Sequence, residues 1–242
     1  MLPDIVILLI AIMLGAAIQA GVGVGFSIVV APIMMVMMGT AVAVPILLML
    51  NTLVSAVALD RRVWAFEKAL IKNAAIGCLV GISLGLLIYP YLSEWVILSL
   101  TAGLLLIGVA TSVLPIGSGI SPAGFKAVSV LSGVATVWAA TPGPLMILGL
   151  LAVGRSAREA RILVQPVALV AYGVAFALHM LSDWSAFAKA PGLGAFALTA
   201  LLGSILGRLI GPRLPQRAIM ISIRVISIAA CVALFRRAYL VG

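Results

Sequence analysis

Residues 19–25 read Gln19-Ala20-Gly21-Val22-Gly23-Val24-Gly25 and fall inside an apolar run that extends from residue 5 to residue 38. Three alternating glycines should end a helix there, because each costs about 1 kcal/mol in a helix interior and adopts backbone conformations that other residues avoid. A second apolar run, 125–153, carries a weaker break at Thr141-Pro142-Gly143-Pro144. Both runs exceed the roughly 20 residues that one crossing of a bilayer core requires. Unpaired backbone in lipid costs several kcal/mol per group, so such breaks persist only where protein or a polar cavity surrounds them. Paired breaks in two halves of a chain point to a transporter's binding site.

The 242 residues are 64% hydrophobic and 9% charged, with a mean hydropathy of +1.34. Soluble domains carry about 25% charged residues, so this composition predicts an all-α integral membrane protein organised as a single membrane domain over residues 1–242. The formal net charge of +9 comes from bases in short gaps between apolar runs. They read as topology signals and not as a nucleic-acid patch. Cys78 and Cys231 lie in apolar runs with neither a CxxC motif nor a nearby histidine. Two buried thiols are expected, with no disulfide, metal site or cofactor. No Lys or Arg precedes the first apolar run, which argues against a cleaved signal peptide and keeps that segment in the mature chain.

Eight hydrophobic helical segments are predicted, at about 5–38, 41–59, 69–89, 95–113, 125–153, 160–180, 192–210 and 218–240. They form two repeats of four, about 5–113 and 125–240, and the first segment of each is broken, as a re-entrant hairpin or as two short helices. Gly81-Ile-Ser-Leu-Gly85 followed by Pro90 recurs as Gly203-Ser-Ile-Leu-Gly207 followed by Pro212. Glycines spaced by four let helix backbones approach closely, so Gly77, Gly81 and Gly85 form one packing stripe, and Gly203, Gly207 and Gly211 the other. These stripes and the small size of the chain are compatible with a homodimer.

The bases discriminate between topologies. If every segment crosses once, they divide almost evenly between the two sides. If the first and fifth segments enter and return, one side keeps Lys189, Arg236 and Arg237. The other gathers Arg61, Arg62, Lys68, Lys72, Lys126, Arg155, Arg158, Arg161, Arg208, Arg213 and Arg217. The second arrangement obeys the positive-inside rule, placing both termini outside the cytoplasmic membrane and inverting one repeat relative to the other. Trp64, Trp95 and Trp184 fall at segment ends, where indoles favour the interface.

A helix that begins within the membrane points unpaired N–H groups and a partial positive charge into its surroundings. Two such starts are predicted, near Phe26 and Ser27 and near Gly143 and Pro144. Together they make an anion site that needs no buried Lys or Arg. The candidate substrate-binding residues are Gln19, Gly21, Gly23, Gly25, Ser27, Asn51, Trp138, Thr141, Gly143 and Gln165: glycines for close backbone approach, hydroxyls and amides as donors, and Trp138 beside the second break. Asn51 and Gln165 could equally serve as interhelical glue. His179 reads as interfacial or as part of a gate, and Arg224 as a snorkelling base or part of an anion pathway. Asp4, Asp60, Glu67, Glu94, Glu159 and Asp183 all lie at or beyond segment ends. A proton relay or a carboxylate sodium site is therefore hard to build at mid-depth.

The Gly21-x-Gly-x-Gly25 break followed by Ala31-Pro32, its counterpart Gly143-Pro144 and the paired glycine stripes resemble the TauE/SafE sulfite exporter family over about residues 14–233. The resemblance implies transport of sulfite, sulfonates or related organosulfur anions across the cytoplasmic membrane, commonly as export. The alternative is a permease for another small metabolite, while the lack of HExxH, GxSxG or paired mid-depth carboxylates argues against an intramembrane enzyme. It places the functional region at 21–27 and 141–145. Ala139-Ala140-Thr141-Pro142 departs from it, standing where many relatives carry a second glycine cluster.

Overall fold

The computed structural model describes every residue except 1, 60–62, 64–66, 189–191 and 214. Its helices are α1 (Leu2–Val22), α2 (Phe26–Met38), α3 (Thr40–Ala58), α4 (Lys68–Ile88), α5 (Glu94–Val113), α6 (Pro122–Ala139), α7 (Gly143–Ala152), α8 (Ala157–Ser182), the short α9 (Ser185–Ala188), α10 (Leu193–Ile210) and α11 (Gln216–Val241). Among the described residues there is no strand. Seven helices, α1, α3, α4, α5, α8, α10 and α11, are long and apolar enough to span a membrane, whereas α2 and α7 are shorter apolar helices. The chain is a multi-pass, all-α membrane protein.

Each long apolar run splits where its sequence cannot continue a helix. Gly23 and Gly25 take φ of 96° and 140°, values open to glycine and closed to most other residues. In the second run Ala140 takes the left-handed conformation at φ 51° and its N–H caps the carbonyls of Ala135 and Thr136. Pro142 lacks an N–H to prolong α6, and Pro144 suits the first turn of α7. Both breaks reverse the chain. Gly15 of α1 faces Phe26 and Val30 of α2, and Gly149 of α7 faces Phe125 and Val128 of α6. Each broken segment is thus a hairpin of one long and one short helix.

The glycine stripes bind across the molecule. Gly77, Gly81 and Gly85 of α4 lie against Ser129, Val130 and Val134 of α6, while Gly203, Gly207 and Gly211 of α10 lie against Met13, Ala17 and Gly21 of α1. A methyl at Gly81 would overlap the Val130 carbonyl, and one at Gly207 the Ala17 carbonyl. Lipid tails are as apolar as leucine, so close backbone approach of this kind replaces the hydrophobic effect as the glue between helices. Both stripes are thus occupied by packing within one chain.

Helix pairings come in matching sets: α1–α10 with α6–α4, α2–α11 with α7–α5, and α3–α10 with α8–α4, while α3–α8 and α5–α11 match themselves. The most enclosed span is α3, with Ile46, Leu47, Leu48 and Leu50 wholly buried beside Phe26, Met34 and Met35 of α2.

Helix ends sort into two faces. On one, Arg155 pairs with Glu67 at 2.7 Å and Arg208 Nη1 donates to the Val57 carbonyl at 2.7 Å. This face gathers the ends of α1, α3 and α10 and the starts of α4 and α8, and with them Lys68, Arg155, Arg158, Arg208 and Arg213. On the other, Arg237 lies 3.8 Å from Glu94 and the C-terminal Gly242 lies beside Trp95. Trp95 and Trp184 are exposed; Trp64, Asp60, Arg61, Arg62 and Lys189 lie outside the described residues. His179 lies in the last turn of α8. It is buried, with Nε2 3.2 Å from the Val137 carbonyl and its ring edge-on to Tyr89.

Candidate functional site

The two breaks converge on one cavity of about 210 Å³, walled by α1, α2, α5, α7, α8 and α11. Along α8 its lining runs through Arg161, Gln165, Ala168 and Tyr172, about 16 Å at 1.5 Å per residue. Arg161 and Arg224 stand toward the base-rich face, and Ser27 and Tyr172 lie at the deep end.

Ser27 organises that deep end. Its hydroxyl shares a proton between the Ala140 carbonyl at 2.8 Å and Asn51 Oδ1 at 3.1 Å, and Tyr172 OH lies 3.3 Å away. Asn51 Nδ2 is held by the Leu47 carbonyl at 2.9 Å, which turns its Oδ1 toward Ser27. One serine on the first turn of α2 therefore joins the second break to the central helices α3 and α8.

Near the first break Gln19 caps the start of α2: Phe26 N–H donates to its Oε1 at 3.1 Å, and its Nε2 reaches Ser55 Oγ at 3.4 Å. Gly23 approaches Gln165 so closely that a methyl there would lie 2.6 Å from Nε2. Thr141 is 1% exposed and lines the cavity, yet among the described residues its buried Oγ1 has no hydrogen-bond partner. A hydroxyl left unpaired in this way costs about 1–3 kcal/mol. Gln165 also lines the cavity, and among the described residues its side chain has no hydrogen-bond partner. No Asp or Glu is among the described lining residues.

Of the residues singled out from sequence, Gln19, Gly23, Gly25, Ser27, Thr141, Gly143 and Gln165 meet at this cavity. Three do not line it. Gly21 packs on Gly207 and Gly211. Asn51 is wholly buried behind Ser27. Trp138 turns away, donating Nε1–H to the Gly85 carbonyl at 2.8 Å. Gln19 lines the cavity but spends its amide on the protein.

Sequence reasoning missed Tyr172, Ser112, Ser227 and Arg161 as lining residues. For Tyr172 a signal existed: Pro45 precedes Asn51 by the same six residues that separate Pro166 from Tyr172, and both later residues meet Ser27. The others carry no local mark, since a lone serine or a base at a helix end is commonplace in membrane helices.

What this site can do is hold a small solute by hydrogen-bond donors and positive potential, within reach of two helix N-termini and with no nucleophile–base pair or acid pair beside it. Comparisons with known proteins agree with a transport role. Neither the curated proteins nor the solved structures include a match to the chain. A family model described as sulfite exporter TauE/SafE matches residues 7–234, a span that takes in both breaks, both glycine stripes and every described cavity-lining residue, so the chain belongs to the TauE/SafE family, a family of sulfite-exporter-type membrane transporters and not of enzymes.

Proposed function

We propose that the chain moves sulfite, an organic sulfonate or a related sulfur oxyanion out of the cytoplasm, holding it between the N-termini of α2 and α7. The observation that carries this reading is the unpartnered, buried Thr141 hydroxyl facing the cavity. A solute oxygen would satisfy it. The first turns of α2 and α7 add backbone N–H groups that lack intrahelical partners by position, with the positive end of each helix dipole. Gln165 adds an amide donor, and the described lining residues include no carboxylate to repel an anion.

The base-rich face, toward which Arg161 and Arg224 stand, is the cytoplasmic one in this reading, and both termini face outward. The two halves act as inverted repeats, a relation supported by the matching sets of helix pairs. An inside-negative potential then drives an anion outward with about 2.3 kcal/mol per charge per 100 mV, so no coupling ion is required.

Proteoliposomes loaded with sulfite, methanesulfonate or taurine, with and without an imposed potential, test the reading. Sulfite and the anionic sulfonate should move faster when voltage favours their exit, and a pH gradient alone should have no effect. If none of the three moves and none raises the melting temperature, the organosulfur assignment is wrong. A reporter fused to the C-terminus should read as extracytoplasmic; a cytoplasmic signal would overturn the orientation.

A further inference from the structure

We propose that Arg161 and Arg224 form a separate anion-receiving subsite at the mouth of the cavity, which captures the anion before it reaches the two helix N-termini. The proposal rests on the reading that the solute is an anion, and it concerns side chains that play no part in the deeper cradle.

Both arginines line the cavity from facing helices. Arg161 stands one turn above Gln165 on α8, and Arg224 lies within a turn of Ser227 on α11. Arg224 is fixed in place: Nε donates to Ser112 Oγ at 2.9 Å and Nη2 to the Ser112 carbonyl at 2.6 Å. Its Nη1 is left for another acceptor, since a guanidinium carries five donors and cannot lose its charge. Among the described residues Arg161 makes only a 3.8 Å contact from Nη1 to Met220 Sδ, and a thioether is a weak acceptor. Met220 lies one turn before Arg224, about 6 Å along the α11 axis, so Arg161 reaches the same face of α11 that carries Arg224.

Neither arginine meets a carboxylate among the described residues, whereas Arg155 and Arg237 are paired with Glu67 and Glu94. A concave, low-dielectric mouth lined by one sign of charge concentrates counter-ions and raises association rates by about 10-fold to 1000-fold. The step from this pair to the cradle is short, because Gly23 sits against both the Arg161 carbonyl and Gln165 Nε2.

Sulfite binding to the purified full chain, by calorimetry at low and high ionic strength, is the test, with flux into proteoliposomes measured alongside. Arg161→Gln, Arg224→Gln, the double variant and the double Lys variant are compared with wild type. Affinity at low ionic strength should fall about tenfold in the double Gln variant and lose most of its salt dependence. Flux should drop at low sulfite and recover at saturation, and the Lys variant should regain part of the loss. Arg161→Gln removes only a thioether contact, so its melting temperature should match wild type, and it should show part of the effect even if Arg224→Gln unfolds. Wild-type affinity and salt dependence in Arg161→Gln and in the double variant would overturn the subsite and leave the transport reading intact. Failure of wild type itself to bind or move sulfite would remove both.

Discussion

Ser27 Oγ donates to the carbonyl of Ala140 at 2.8 Å, tying two helix breaks that lie 113 positions apart in the chain. The bond holds the start of α2 against the end of α6, among the most buried residues of the cavity wall. Ser27→Ala would leave the Ala140 carbonyl without its donor and Tyr172 OH without an acceptor. A loss of about 1–2 kcal/mol is expected, read as a lower melting temperature in detergent, with Ser27→Thr retaining part of the stability.

Thr141→Val separates binding from stability. The hydroxyl has no protein partner, so its removal should leave the melting temperature unchanged or slightly raised. A hydrogen bond to a charged group is worth about 1.5–3 kcal/mol, so sulfite affinity should fall about tenfold or more, and Thr141→Ser should retain it. Unchanged affinity in Thr141→Val, measured by calorimetry, would remove this hydroxyl from the site.

Ala140 is the only non-glycine residue with positive φ among the described residues, at the position where a glycine would have been expected from the first break. Ala140→Gly removes a left-handed strain of about 1–2 kcal/mol but also a buried methyl worth about 0.8 kcal/mol and some rigidity of the unfolded chain. The net change should stay within about 1 kcal/mol. Ala140→Val combines a β-branched side chain at positive φ with overpacking, and should cost several kcal/mol. Thermal unfolding of the pair tests the sign and the contrast.

Gly81→Ala and Gly207→Ala each drive a methyl into a backbone carbonyl of the facing helix. Backbone cannot yield as a side-chain end can, so both should reduce folded yield severely. Gly103→Ala meets nothing within 4 Å and should be neutral or stabilising by up to about 1 kcal/mol. Size-exclusion profiles of the three variants supply the measurement.

Trp138→Phe removes the Nε1–H bond to the Gly85 carbonyl and nothing that faces the cavity. A loss of about 1 kcal/mol in stability is expected, with KM for sulfite unchanged. A shift in KM larger than threefold would return Trp138 to the substrate path.

Much of this architecture is legible along the chain. Gly23, Gly25, Pro142 and Pro144 mark the breaks because backbone conformation is decided within a few residues, and the helices resume at Phe26 and Gly143 as local chemistry dictates. The two stripes are legible as packing surfaces because a spacing of four places glycines on one helix face. Their partners are not legible: Gly81 meets Val130 and Gly207 meets Ala17, each across the boundary between the halves. The same limit explains the candidate site. Gly21, Gly23 and Gly25 look alike in sequence, but Gly21 meets α10 while Gly23 meets Gln165. Asn51, Gln165 and Trp138 are all polar interruptions at similar depth, and only Gln165 faces the cavity.

By itself the sequence determined that this is a membrane protein, where two of its long apolar runs must break, and which helix faces can come close. Those properties follow from hydropathy, backbone freedom and helical period, all of them local. Only the tertiary structure decided which polar groups are spent on the protein and which are left for a solute: Gln19 caps α2, Trp138 holds α4, and Thr141 is left without a partner. In a chain whose lipid-facing and core-facing side chains are equally apolar, hydropathy cannot tell one face from another. That distinction arises only when helices distant in sequence meet and pair their few polar groups.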